Sequence, residues 1–182
     1  MKRIIAGGCA ALLAFCTAMV SAGSAFADPY VTRSPAVAPV LGNTIRGSTT
    51  TVFSISTGGV VTRTSGDAIR ISTGSVTAPT ININCGLLNL NSLCALRFMR
   101  VTITPVTGAG SATITKFRVS GMTGATYRLG VTPPEAASMT FDLNPIGLLN
   151  PVNIKLGMDV SLAPGASGVQ TFDYSVSVQF VT

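Results

Sequence analysis

From residue 50 onward, apolar and polar residues alternate in short runs of period two, and almost no window carries apolar residues at helical spacing. The runs 50–55, 79–84, 97–104, 111–119, 125–131, 139–143, 158–162 and 170–181 predict strands, most of them bounded by Gly, Pro or Asn. The clearest is the last. Phe172, Tyr174, Val176, Val178 and Phe180 fall on one face, and Asp173, Ser175, Ser177 and Gln179 on the other, which is the signature of a strand with one side in a core and one in water. Many short strands at such spacing predict an all-β, antiparallel sandwich or barrel.

The same alternation places Phe117 and Val119 inward with Lys116 and Arg118 outward, then Tyr127, Leu129 and Val131 inward with Arg128 outward. With Gly121-Met122-Thr123-Gly124 between them, the two runs predict a hairpin. Gly157 and Pro164-Gly165 bound a strand over 158–162. Glu135-Ala136-Ala137 after Pro133-Pro134 allows one helical turn.

Residues 28–49 break this order with Pro29, Pro35 and Pro39, which interrupt a continuous ladder. They predict an N-terminal arm preceding a β-sandwich domain over 50–182. The arm has two readings: a surface linker that partly packs as an edge strand, or a segment that adds to a neighbouring subunit's sheet through Ala36, Ala38 and Val40.

Residues 1–27 follow a different pattern. Lys2 and Arg3 precede an Ala- and Gly-softened apolar stretch that ends in Ala25-Phe26-Ala27. A basic start, an apolar middle and small residues before the cut predict a secretory signal peptide cleaved between Ala27 and Asp28. Cleavage would leave no membrane span, and the protein is expected in the periplasm, at the cell surface or outside the cell. Lipidation is disfavoured: Phe15 precedes Cys16, and Cys9 lies ahead of most of the apolar run.

Export changes how the mean hydropathy of +0.53 is read, because part of it belongs to the leader. Beyond the leader, ten Lys and Arg stand against six Asp and Glu, a net of +4. The basic residues are scattered singly without interleaved aromatics, so no nucleic-acid groove is expected. Cys85 and Cys94 are the two cysteines left, and in an oxidising compartment they predict a structural disulfide across an eight-residue loop. Their spacing is not C-x-x-C, which argues against a redox pair.

Candidate chemistry is sparse. The chain contains no His, which removes the commonest general base and metal ligand. A Thr113/Lys116 pair would be sent to opposite faces by its odd spacing. Asp142, Asp159 and Asp173 read as single outward positions, and no calcium-loop or phosphate-binding pattern is present. No catalytic residue, metal or cofactor is expected.

Residues 109–131 (AGSATITKFRVSGMTGATYRLGV) and 156–182 (LGMDVSLAPGASGVQTFDYSVSVQFVT) carry a resemblance. A strand ending in a V-x-G turn, an aromatic-bearing segment after it, and a Gly-rich turn before an aromatic strand of alternating Val resemble the small exported β-sandwich family known as domain-of-unknown-function family 4402. The resemblance implies an immunoglobulin-like or pilin-like sandwich, similar to fimbrial subunits of Gram-negative bacteria. It also implies a structural or adhesive surface role, with copies of itself, other surface subunits or a periplasmic chaperone as partners. The alternative is a soluble periplasmic or secreted binding module. Compared with chaperone-assembled pilins the chain differs twice: its cysteines close a short mid-chain loop, and it ends Phe180-Val181-Thr182 without a penultimate Tyr.

Overall fold

The alternating runs become strands of an all-β, antiparallel sandwich in the computed structural model, which describes residues 29–86, 91–148 and 150–181. The strands are β1 (Tyr30–Ser34), β2 (Val40–Ile45), β3 (Thr51–Ile55), β4 (Val61–Ser65), β5 (Ile69–Arg70), β6 (Thr80–Asn84), β7 (Phe98–Val106), β8 (Thr113–Thr123), β9 (Met139–Leu143), β10 (Val152–Leu162), β11 (Gly168–Thr171) and β12 (Asp173–Val181). The predicted cleavage position, Ala27 and Asp28, lies outside the described residues.

Strand β10 organises the larger sheet. Val152, Ile154, Leu156, Met158, Val160 and Leu162 are all fully buried on its inner face. One edge of β10 pairs with β8, and the other pairs first with β6 and then with β3. Strands β1 and β4 lie outside β6 and β3. The facing sheet is β12-β7-β9, and a third, small sheet is β11-β2-β5. Met99, Val101 and Ile103 of β7 meet the β10 face in one core cluster. Phe117 of β8 and Tyr174 of β12 close edge to face across the sandwich at 6.2 Å.

Several sequence expectations are corrected. The 116–119/125–131 hairpin does not form, since β8 runs on to Thr123 and pairs with β10. A bulge where the register shifts between Asn153 and Lys155 carries β8 past Gly121, whose φ of +59° suits this kink. Residues 125–131 form a loop closed by Gly130 N–H donating to Tyr127 C=O at 2.9 Å. Gly130 turns the chain at φ +72°, and Leu129 and Val131 point outward, 85% and 65% exposed. Gly157 lies inside β10, not at its start. Ala136 makes an extended bridge to Phe117, so residues 135–137 form no helical turn.

A second bulge falls where the β8 register shifts between Asp159 and Val160. It leaves Ile114 and Phe117 both inward and places Thr113 and Lys116 on the same outward side, against the odd-spacing expectation. Residues 28–49 hold two strands. Strand β1 is an edge paired with β6, and β2 is the middle of the small sheet; the cis Ser34-Pro35 peptide and Pro39 fall between them.

Candidate functional site

Cys85 and Cys94 are bonded, S–S 1.91 Å and Cα–Cα 6.3 Å, and both are buried. The link fastens the end of β6 to the 3₁₀ turn Asn91–Leu96 that leads into β7, so it ties the two main sheets. Its place is structural.

The charged residues that read as scattered in sequence meet across the sheets. Arg118 Nη2 donates to Asp159 Oδ1 at 2.5 Å, and Nε donates to Glu135 Oε1 at 2.9 Å. Lys116 Nζ stands 3.5 Å from Glu135 and 3.7 Å from Asp159. Burial alone would raise the Asp159 carboxyl, but its hydrogen bonds to Arg118 and Ser54 and the nearby cations leave it below its usual value. Asp67 accepts from the N–H and hydroxyl groups of both Ser48 and Thr49, and these hydrogen bonds hold it well below the carboxylate range. Arg33 of β1 donates to Asp173 Oδ1 at 2.7 Å and to the Tyr174 carbonyl, joining the edges of the two main sheets.

A concave cleft of about 550 Å³ lies between the 125–134 loop and the outer side of β9 and β7. Asp142 lies on its floor. Arg100 grips that carboxylate with two parallel bonds, Nε at 2.8 Å and Nη2 at 3.0 Å, and Arg128 Nη1 stands 3.7 Å away. The Arg100 hydrogen bond leads the lowering of the Asp142 carboxyl. Tyr127 and Phe141 pack edge to face at 5.5 Å beneath, and Leu129, Val131, Pro133 and Pro134 form an apolar wall. Tyr127 Oη is buried without a hydrogen-bond partner among the described residues, and burial pushes the phenol up. Two guanidiniums on one carboxylate leave a net positive charge beside an apolar surface.

The chain matches no family profile, no curated protein and no solved structure. The site is therefore read from its own chemistry. Among the described residues, no three His, Cys, Asp or Glu side chains gather as metal ligands. No helix among them is long and apolar enough to cross a membrane.

Of the carboxylates singled out in sequence, Asp142, Asp159 and Asp173 sit on three different strands, each against its own arginine, and no two of them share a partner. Sequence reasoning missed the cleft because it treated residues 125–131 as a buried strand. The signal was present in Gly130 and Pro133-Pro134, which end pairing on both sides of Val131.

Proposed function

We propose that this chain is an exported, non-catalytic structural or adhesive cell-surface protein, fimbrial-subunit-like and akin to domain-of-unknown-function family 4402. One observation carries the reading: every carboxylate of the described residues is engaged in fastening strands or turns. Asp67 holds a turn, Asp173 joins two sheet edges, and Glu135, Asp142 and Asp159 lie against arginines. Such carboxylates serve the scaffold and are poor proton carriers at neutral pH. The rest of the exposed surface is mostly Thr, Ser, Gly and single apolar residues, with a few scattered cations such as Arg46, Arg63 and Lys155, a surface suited to contact.

Cell fractionation with mass spectrometry of the recovered protein tests the reading, together with antibody labelling of intact cells in electron microscopy. The expected result is a surface-labelled chain beginning at Asp28 without titratable thiols. A cytoplasmic chain with residue 1 intact overturns it.

The Arg100–Asp142–Arg128 cleft favours a second reading, a soluble binding module. Its net positive charge and its apolar wall of Leu129 and Val131 suit a small amphipathic anion. A monomer that carries such a molecule through purification, seen by native mass spectrometry and lost in Arg100→Ala, would select this alternative.

A further inference from the structure

Strand β12 presents the least protected edge of the sandwich. It pairs with β7 through nine consecutive residues without a register shift, and on its other side it has no strand partner among the described residues. Other edge strands carry devices that discourage pairing. Strand β8 has two bulges, Lys116 and Arg118, and is bridged at Phe117 to Ala136. Strand β9 is bridged at Leu143 to Tyr127. Strands β1 and β4 are five residues long and carry Arg33 and Arg63. In β12 the only acidic or basic side chain is Asp173, at one end.

The direction of the β12 backbone groups follows from Tyr174. Its N–H is bonded to the Asp173 carboxylate at 2.8 Å and its carbonyl to Arg33, while its partner on β7 is Pro105, which has no N–H to give. Tyr174 therefore turns its backbone groups away from β7. With a period of two, Val176, Val178 and Phe180 turn theirs the same way.

We propose that β12 pairs edge to edge with β12 of a second copy of this chain, antiparallel about a two-fold axis at Val178. This register sets Val178 opposite Val178, and Val176 opposite Phe180 twice. All three outward-turned residues are then used, giving six backbone hydrogen bonds, and Arg33 stays on Tyr174. Centring on Ser177 or Val176 would instead call on the Tyr174 groups already bonded to Asp173 and Arg33. On the solvent face the same register brings Ser177 opposite Gln179, both exposed and uncharged, so no like charges meet. Two three-stranded sheets become one of six strands, an isologous contact that closes on itself. The inference rests on the surface-subunit reading for its use in the cell, while the pairing itself is a property of the purified chain.

Sedimentation velocity over a concentration series tests it, using the full chain as recovered from cells. The wild type is expected to form a reversible dimer. The double variants Ser177→Lys/Gln179→Lys and Ser177→Glu/Gln179→Glu place like charges opposite each other twice, and each should weaken dimerisation about tenfold or more. Mixing the two should restore dimers.

Ser177→Lys/Gln179→Glu should dimerise at least as well as wild type, because this register opposes unlike charges. Arg100 neighbours position 179 on β7; if it destabilises the double Lys variant, as a thermal melt would show, the Glu/Glu and Lys/Glu variants decide alone. A wild type monomeric at all concentrations, dimers indifferent to these charges, or open-ended chains would each overturn the pairing. Indifferent dimers or open-ended chains on labelled cells would leave the surface-protein reading standing, whereas absence from the surface would strike that reading and leave the pairing intact.

Discussion

The side chain of Arg118 lies across Gly157, its antiparallel partner on β10, and a Cβ at position 157 would stand 2.8 Å from both Arg118 Cγ and the Ile55 carbonyl oxygen. That gap lets the guanidinium cross from β8 to β3. There Nη1 donates to Ser54 Oγ at 3.0 Å and to the Ile55 carbonyl at 3.2 Å, on the far side of Asp159. One arginine thus clamps three adjacent strands because the middle one has no side chain beneath it.

Gly157→Ala is accordingly expected to lower stability by about 1–3 kcal/mol, the usual cost of overpacking. Urea unfolding measures it. Adding Arg118→Ala should recover only part of the loss, since the Ile55 carbonyl is backbone and cannot swing aside. Full recovery would show that the arginine alone sets the requirement for glycine.

Acid should loosen the same clamp. The folded-state values of Asp159, Glu135 and Asp142 all lie below normal, so their contribution is fully present above the unfolded carboxylate value of about 4. It is lost as pH falls through the lowered folded values. Urea midpoints should be flat with respect to these groups from pH 7 to about 5 and drop by pH 3. In Arg118→Ala the drop should shrink, because the cation that lowers both Asp159 and Glu135 is gone; an unchanged drop would place the acid sensitivity elsewhere.

The terminal strand was legible from Asp173 to Val181 because both of its faces follow the pleat, but the expected run 170–181 is split at Phe172, with Gln170 and Thr171 belonging to β11 in another sheet. Phe172, Tyr174 and Val178 are buried while Ser175, Ser177 and Gln179 are exposed. Strand β10 was half legible: its alternation continues through Gly157, but a glycine reads as punctuation when the arginine above it is 39 positions away in sequence. Strands β1 and β2 were obscured by prolines that lie between the strands. Strand β4, VTRTS, has a largely exposed burial pattern and gives no period to find. The cleft was hidden for the opposite reason, since the Tyr127-Arg128-Leu129-Gly130-Val131 alternation mimics a buried strand while the chain turns at Gly130.

Burial falls from Phe172, just ahead of β12, to Phe180 near its end, and the mutational cost should follow it. Phe172 is 1% exposed in the shared core. Phe180 is only partly buried, with the Arg97 guanidinium stacked 4.3 Å above its ring centroid. Phe172→Ala should cost about 3–5 kcal/mol, and Phe180→Ala clearly less. Equal losses in thermal or urea unfolding would contradict the observed packing.

Tyr174 offers a test of a buried hydroxyl. Its ring is 1% exposed and packs against Phe117, yet its Oη has no hydrogen-bond partner among the described residues. Burial pushes the phenol up to about 12. A raised folded value means that the neutral phenol's contribution is fully present below the unfolded value of about 10 and is lost as pH climbs toward 12. Tyr174→Phe keeps the ring and removes the unpaired oxygen, so stability at pH 7 should be unchanged or higher by up to about 1 kcal/mol. The variant should also keep its urea midpoint to higher pH than the wild type. Spectrophotometric titration near 295 nm should show one high-pH tyrosine step fewer in the variant. A destabilised variant at pH 7 would mean that Tyr174 Oη is hydrogen-bonded in the folded protein.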